Sequence, residues 1–235
     1  MTTLKECLAA GFEATILEAQ GHIGGQWQYT DPDSTTGEVH SSIYQGVIFN
    51  SCRDTSSFSD FPMDPARYSV YTSHKQFVQY LHEYATFFNL TSHIKLSTKV
   101  LRCVQLEGGK WEVTSSAKEG TETDTYDALF ACTGHNTTPF IPQFQGLKDF
   151  KGQFIHSHVY RTPGAFEGKK VAIIGVGSSG NSLAFRLLLS LVDVACSCRH
   201  CLGACSSSQR ASCGYSERRL DHTTLCLRQA RRGVR

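Results

Sequence analysis

The chain has 235 residues, of which 40% are hydrophobic and 19% charged, a balance typical of a globular protein rather than a disordered one. Its 23 Lys and Arg nearly balance 21 Asp and Glu, and no basic patch with interleaved aromatic residues indicates a nucleic-acid partner. No apolar run reaches the roughly 18 residues that would span a bilayer, and the first residues do not resemble a signal peptide. These features predict an intracellular, cytoplasmic protein.

The first third of the chain predicts a helix, a strand and a glycine-rich loop. Residues 2–11 have helical spacing and end on a glycine, and the apolar run ATIL then ends at Glu18. The loop HIGGQW (22–27) follows, with irregular structure to about Thr72. An acid that ends a strand suits the ribose hydroxyls of an adenosine, although such an acid is as often a solvated edge residue.

The middle of the chain predicts a capped helix followed by strands. Ser73 and Gln76 have the spacing of a capping box, which opens an amphipathic helix that ends near Asn89. Residues 100–115 contain two strand patterns around a Gly-Gly turn and predict a hairpin. The apolar run at 126–132 predicts a buried strand.

The clearest unit is a strand, a helix and a second strand. The strand KKVAIIG (169–175), a helix over 178–190 and a strand over 192–198 together predict a βαβ unit of a parallel sheet.

The segment GVGSSG inside this unit is a complete G-x-G-x-x-G motif in the strand-to-helix context that dinucleotide binding needs. Gly175 allows the tight turn, Gly177 lets backbone N–H groups approach a pyrophosphate, and Gly180 lets the helix pack closely on the strand. The helix N-terminus adds partial positive charge for the phosphates. The alternative is a glycine-rich turn that binds no ligand.

The residue that ends the following strand distinguishes NAD from NADP. An acid there holds the free ribose 2′-hydroxyl, whereas an arginine accommodates a 2′-phosphate. The chain has Arg199 at this position, and Asp193 comes too early in the strand. The sequence therefore favours NADP, unless Arg199 is only the first arginine of a basic tail.

Residues 200–235 differ in composition from the rest of the chain. They contain seven arginines against Glu217 and Asp221, and they lack Trp, Phe, Ile and Met. Such a segment buries little apolar surface, so we predict a mostly disordered tail. The cysteines between 196 and 205 lack the regular spacing of a zinc knuckle, and we predict no metal site.

One segment identifies a family. FKGQFIHSHVY contains the pattern F-x-G-x-x-x-H-x-x-x-Y, with Phe150, Gly152, His156 and Tyr160 in place. On this motif the chain resembles the flavin-containing monooxygenases, and Tyr160 favours their N- and S-oxygenating branch over the related Baeyer–Villiger enzymes. Further segments agree in order and spacing: EAQGHIGGQW, IYQGVIFNSCRD, FSDFP, TSHKQFVQYLHEYA, ACTGH and VAIIGVGSSG.

The resemblance implies an α/β flavoprotein fold with two dinucleotide-binding domains, doubly wound and Rossmann-like, in a chain truncated at both ends. Residues 1–152 would be a partial FAD-binding domain without its first strand and glycine turn, residues 153–199 a partial NADPH-binding domain, and residues 200–235 a basic tail. The implied cofactors are FAD and NADP(H). The implied reactants are O₂ and a small amine or thioether, oxygenated through a C4a-hydroperoxyflavin. The resemblance also implies that full-length relatives can be membrane-associated.

The resemblance also implies which residues form the site. Asn50 is the expected active-site residue beside the flavin and nicotinamide, unless it only satisfies its own loop backbone. His156 is expected to shape the domain junction rather than to act as an acid or base. The expected cofactor contacts are Glu18, Gly24, Gly25, Gln26, Trp27, Phe49, Asn50, Ser51, Gly175, Gly177, Ser178, Ser179, Gly180, Asn181, Ser182 and Arg199.

Two other functions stay open from the sequence. The chain could be a non-catalytic NADP-binding remnant, in which case it would be inactive as an oxygenase, or it could be a Baeyer–Villiger-type monooxygenase. A disulfide reductase of the same fold class would need a C-x₄-C pair near the flavin helix, and the sequence has none there.

Overall fold

The computed structural model describes residues 1–175, 177–189, 193–196 and 224–228. These residues form two compact units, here called unit 1 and unit 2. Unit 1 contains Met1–Thr30 and Gly46–Thr138 together with the strand at 224–228, and unit 2 contains Asp31–Gln45 and the described residues from Pro139 to Cys196.

The secondary structure is mixed α/β, as the sequence predicts. The helices are α1 (Thr2–Ala9), α2 (Arg53–Ser56), α3 (His74–Phe87) and α4 (Ser178–Leu189). The strands are β1 (Glu13–Leu17), β2 (Ile94–Lys95), β3 (Lys99–Gln105), β4 (Trp111–Ala117), β5 (Gly120–Tyr126), β6 (Ala128–Ala131), β7 (Lys170–Ile173), β8 (Asp193–Cys196) and β9 (Thr224–Arg228). Within the described ranges, no helix has the length and apolar composition to cross a membrane.

The helix α1 packs on the strand β1 in unit 1. Leu4 and Cys7 of the helix are buried in one cluster with Ala14 and Ile16 of the strand. Gly11 joins the two elements with a φ of 82°, a left-handed conformation that glycine adopts without strain. The predicted helix, its glycine end and the following strand are confirmed.

The helix α3 begins with the predicted capping box. The backbone N–H of Gln76 donates to Ser73 Oγ at 3.3 Å, and the backbone N–H of Ser73 donates to Gln76 Oε1 at 3.2 Å. The helix then buries aromatic side chains along one face, with Tyr80 and Tyr84 both 0% exposed. The amphipathic pattern of the sequence therefore selects the buried face correctly.

Tyr80 also fixes the loop that precedes α3. Its hydroxyl accepts a hydrogen bond from the backbone N–H of Phe58 at 2.8 Å and donates to the carbonyl oxygen of Phe61 at 2.6 Å. The rings of Phe58 and Phe61 lie 5.6 and 5.5 Å from the Tyr80 ring, centroid to centroid. The loop is thus held by both backbone hydrogen bonds and aromatic packing.

A three-stranded antiparallel sheet, β3-β4-β5, follows in unit 1. The predicted hairpin is its first part, and Gly108 and Gly109 in its turn have φ values of 87° and 85°. The third strand, β5, was not predicted, because residues 120–126 (GTETDTY) have one apolar side chain and so lack an apolar alternation. Backbone pairing along the whole of β4 forms this strand instead.

A second sheet in unit 1 has the order β2-β1-β9-β6 and corrects two predictions. The run at 126–132 was predicted to be a buried strand, but β6 is an edge strand and Phe130 is 42% exposed. Residues 200–235 were predicted to be mostly disordered, but residues 224–228 form β9. The tail was predicted from the composition of the whole segment, and that composition hides the short run TLCLR. The backbone of this run pairs with β1 on one side and with β6 on the other. The other tail residues lie outside the described ranges.

Unit 2 contains the predicted βαβ arrangement. Strand β7 pairs in parallel with β8, and the connecting helix α4 buries Leu183, Ala184 and Leu187. The division between the units differs from the predicted boundary at residue 152, because residues 31–45 and 139–152 group with unit 2. The buried Arg161 side chain attaches the first of these segments, since its Nη2 donates to the carbonyl oxygen of Ser41 at 2.6 Å.

Removing the Tyr80 hydroxyl should destabilise unit 1. In Tyr80→Phe, the Phe58 N–H and the Phe61 carbonyl each lose a partner, and we expect the free energy of unfolding to fall by about 1–3 kcal/mol. Tyr84→Phe is the matched control, because Tyr84 is equally buried and its hydroxyl bonds to none of the described residues. Urea unfolding followed by fluorescence measures both. Equal losses in the two variants would contradict the role of the Tyr80 hydroxyl.

Candidate functional site

A cavity of about 200 Å³ opens in unit 1 beyond the carboxyl end of β1. In open α/β sheets, ligands bind outside the carboxyl ends of the strands. Three of the predicted cofactor contacts, Glu18, Gly24 and Gly25, come together in its wall. The complete lining is Met1, Thr3, Ile16, Glu18, Ile23, Gly24, Gly25, Leu81, Ile94 and Cys132.

Glu18 is held rigidly at this position. Its backbone N–H donates to the carbonyl oxygen of Lys95 at 2.9 Å, and its own carbonyl accepts from the N–H of Thr98 at 2.8 Å. The side-chain Oε1 accepts from the N–H of Gln20 at 2.8 Å. A carboxylate has about four acceptor sites, so Glu18 keeps the capacity to accept hydrogen bonds from ligand hydroxyls.

The loop after Glu18 turns sharply at two glycines. Gly24 and Gly25 have φ values of 119° and 50°, and a helical turn at Gly25–Trp27 follows. The ring of Trp27 lies 4.1 Å from that of Phe49 and 5.3 Å from that of Phe77, centroid to centroid. Gln26 and Trp27, two predicted cofactor contacts, directly follow the cavity-lining residue Gly25 in the sequence, but neither of them lines the cavity.

Asn50 is on an exposed loop whose ends are anchored to the segment before α3. The N–H of Phe49 donates to the carbonyl oxygen of Thr72 at 2.9 Å, and the N–H of Arg53 donates to that of Val70 at 2.7 Å. Phe49 is 8% exposed within the aromatic core, whereas Asn50 is exposed. Phe49, Asn50 and Ser51 do not line the cavity, and the Ser51 hydroxyl bonds to that of Ser56 at 2.8 Å.

The glycine turn of unit 2 has the predicted backbone geometry at two positions. Gly175 has a φ of 129°, which an L side chain rarely adopts. A Cβ at Gly180 would overlap the carbonyl oxygen of Gly175, so the close packing of helix on turn requires glycine. A Cβ at Gly177 would meet no atom within 4 Å, which leaves the backbone open to an approaching group.

The predicted contacts on α4 differ in their surroundings. Ser178 and Ser179 are exposed at the start of the helix. The Ser182 hydroxyl instead accepts a hydrogen bond from the Tyr44 hydroxyl, and the Arg186 guanidinium lies 5.3 Å from the Tyr44 ring centroid. The side chain of Asn181 and the whole of Arg199 lie outside the described part of the chain.

The family motif forms a structural element of unit 2. His156 Nδ1 accepts from the N–H of His158 at 3.1 Å, and burial, followed by the nearby His158 charge, lowers the pKa of His156. A lowered pKa keeps the imidazole neutral near pH 7, as an acceptor must be. Tyr160 is 3% exposed, and its ring lies 5.4 Å from that of Tyr44.

Two residues that organise unit 2 have no role predicted from the sequence. Arg161 is 8% exposed, and its Nη1 donates to the carbonyl oxygens of His158 at 2.9 Å and Tyr160 at 2.7 Å. Tyr44 contacts both Tyr160 and Ser182. Only position in the sequence could have indicated these residues: Arg161 directly follows the family motif, and Tyr44 belongs to a segment that agrees with the family. Neither position predicts a particular contact.

The geometry of the glycine turn predicts that alanine is costly at one of its glycines and tolerated at another. Gly180→Ala should lower the free energy of unfolding of unit 2 by about 1–3 kcal/mol, because the new methyl group meets backbone that cannot move aside. Gly177→Ala should change it by less than about 1 kcal/mol, because Gly177 has no positive φ and space is open. Thermal unfolding measures both. A larger loss for Gly177→Ala would contradict this geometry.

Comparison with known proteins identifies several similar chains. Human flavin-containing monooxygenase 1 is 38% identical over 190 residues, which are 78% of this chain and 35% of the relative. Dimethylaniline monooxygenase [N-oxide-forming] 2 from Macaca mulatta is 34% identical over 229 residues, which are 95% of this chain and 42% of the relative. The chain thus spans roughly 35–42% of the length of these relatives.

Solved structures agree with this result. S-allyl-L-cysteine S-oxygenase from Allium sativum has a TM-score of 0.72 and 27% identity, over 88% of this chain and 49% of that one. A flavin-containing monooxygenase from Stenotrophomonas maltophilia has a TM-score of 0.64 and 26% identity, over 79% and 50%. Cyclohexanone monooxygenase, at 22% identity and a TM-score of 0.55 over 79% and 33%, shares the fold. Residues 1–226 match the family described as Flavin-binding monooxygenase-like, and the chain belongs to that family.

Proposed function

We propose that this chain supplies cofactor-binding parts of a monooxygenase that uses FAD and NADPH to oxygenate soft nitrogen or sulfur nucleophiles. One observation carries the proposal: the chain contains both an acid-ended strand at a cavity and a formed glycine turn at a helix N-terminus. Family membership supports FAD and NADP(H) as the two ligands. FAD, when bound, supplies the redox chemistry of such enzymes.

The cavity in unit 1 fits the adenosine end of FAD. Its volume of about 200 Å³ is below the roughly 300–1,000 Å³ of sites that enclose a whole ligand of drug size, so it suits one end of a dinucleotide. The Glu18 carboxylate would accept hydrogen bonds from the ribose, and Gly24 and Gly25 would allow the backbone to approach closely. We assign Gln26, Trp27 and Ser51 to more distant parts of the same flavin.

The start of α4 fits the pyrophosphate of NADP. The open face of Gly177 and the N-terminus of a 12-residue helix present backbone N–H groups with partial positive charge. The exposed hydroxyls of Ser178 and Ser179 would add donors, while Arg199 would pair with the 2′-phosphate. Because Ser182 is bonded to Tyr44, we assign it a positioning role for the helix rather than a phosphate contact.

We assign Asn50 to the reacting end of the site. Its amide side chain is exposed, and the backbone of Phe49 and of Arg53 on either side is held by hydrogen bonds. The loop would therefore keep Asn50 in position while its side chain contacts the cofactor. The names of two relatives, one N-oxide-forming and one an S-oxygenase, support amines and thioethers as substrates with O₂. Tyr160 favours this chemistry over Baeyer–Villiger oxidation.

The nucleotide preference tests the role of Arg199. We expect NADPH to bind about ten- to a hundredfold more tightly than NADH, since a charged hydrogen bond contributes about 1.5–3 kcal/mol. Arg199→Ala should remove most of the difference, and Arg210→Ala, another tail arginine, should not. Calorimetric titration of both nucleotides measures the constants. Equal affinities in the unsubstituted protein would refute the assignment.

The adenosine site is tested at the two ends of β1. Glu18→Gln should weaken binding of adenosine and of FAD by about tenfold or more, because the charged acceptor for the ribose is lost. Glu13→Gln removes the same charge at the opposite, exposed end of the strand and should leave both affinities unchanged. Equilibrium dialysis with adenosine and fluorescence titration with FAD measure them. An equal loss of affinity in both variants would indicate a general effect of the removed charge and would contradict a ribose site at Glu18.

Activity decides between the oxygenase and the non-catalytic alternative. The assay follows NADPH consumption and sulfoxide formation from a simple thioether in the presence of added FAD. In any protein that contains this segment and is active, Asn50→Ala should uncouple the two, so that NADPH is consumed with less sulfoxide. A chain that binds NADPH but forms no sulfoxide would support the NADP-binding remnant.

A further inference from the structure

The strand β9 has an unusual position in unit 1. It lies between β1 and β6 and runs antiparallel to both, while β1 and β2 are parallel to each other. All five of its residues pair with β1, and four pair with β6. Since β1 and β6 each pair with β9, β6 runs in the same direction as β1 and β2. One inverted strand therefore joins three strands of common direction.

The neighbours of β9 define which position in the sheet it fills. In a doubly wound nucleotide-binding sheet, the strand order is 3-2-1-4, and the second strand ends on an acid that binds ribose. Here β1 ends at Glu18 and has β2 on its outer side, so β2, β1 and β6 correspond to strands 3, 2 and 4. The strand β9 fills the first position, from which the phosphate-binding glycine turn normally follows.

We propose that residues 224–228 are an internal plug, which completes the sheet of unit 1 but directs the turn that follows it away from the cavity, so that β9 contributes nothing to the binding of a dinucleotide pyrophosphate there. The first effect follows from pairing, because without β9 both β1 and β6 would present unpaired backbone groups. The second effect follows from direction, and it rests on the proposed adenosine site at Glu18.

The direction of β9 decides which of its two ends lies beside the cavity. Its amino end, Thr224, pairs with Leu17 and Ala131, the last residues of β1 and β6. The next residues along those two strands, Glu18 and Cys132, line the cavity. A turn and helix N-terminus that bind phosphate follow the carboxyl end of a strand. In β9 that end is Arg228, opposite Glu13, at the far edge of the sheet.

Disulfide trapping tests the position and direction of β9. In a Cys226→Ser background, Glu13→Cys with Arg228→Cys should form an intramolecular disulfide, because paired Cα atoms in antiparallel strands lie about 4.5–5.5 Å apart. Glu13→Cys with Thr224→Cys is the matched control. Its two Cα atoms lie about 13 Å apart, four residues at about 3.3 Å each, which is too far for a disulfide. Peptide mapping by mass spectrometry under non-reducing conditions identifies the bond.

Each outcome of this experiment decides the proposal. A bond between positions 13 and 228 within one chain supports it. A bond between positions 13 and 224 would show parallel insertion and would overturn it. A bond between two chains, visible as a covalent dimer, or the absence of either bond would equally overturn an internal antiparallel plug.

The second effect, that β9 contributes nothing to pyrophosphate binding, is tested on the trapped protein. With β9 held in place, ADP should bind no more than about threefold more tightly than adenosine, because the carboxyl end of β9, from which a phosphate-binding turn would follow, lies at the opposite edge of the sheet. Binding of ADP about tenfold or more tightly than adenosine would overturn this second effect. Failure of both ligands to bind would count against the adenosine site at Glu18, while the position of β9 would still be decided by the disulfide.

Discussion

Backbone pairing on both sides of β1 is the constraint on which unit 1 depends. A buried strand must satisfy its N–H and carbonyl groups, and β1 does so with β2 on one side and β9 on the other. Its side chains then pack in two directions, with Ile16 toward α1 and Leu17 toward Val113 and Tyr126. Because the strand is fixed in this way, Glu18 at its end is fixed beside the cavity.

The aromatic core and the glycine turn act as rigid supports for the two candidate cofactor regions. In unit 1, Trp27 and Phe49 pack together, so the loop after Glu18 and the loop before Asn50 share one hydrophobic anchor. In unit 2, the lack of a side chain at Gly180 lets the start of α4 lie close to the Gly175 carbonyl. In both cases, the packing of aromatic rings or glycines decides where the polar groups lie.

A sheet with one inverted strand connects the fold to its proposed function. A parallel strand delivers its following turn to the same edge as its neighbours, whereas an antiparallel strand delivers it to the opposite edge. The strand β9 therefore pairs with both of its neighbours, but the turn that follows it is not delivered to the cavity. Sheet completion and cofactor binding, which one strand usually combines, are separated in this chain.

The sequence by itself determined the local elements, because their signals lie within a few residues. The capping box at Ser73, the hairpin turn at Gly108 and the glycine turn at Gly175 are all formed by contacts between near neighbours in the chain. Tertiary structure alone decided that β6 is an edge strand, that β9 enters the sheet and that Arg161 attaches residues 31–45. These depend on which backbone groups distant segments leave unpaired, and no local pattern of side chains records that.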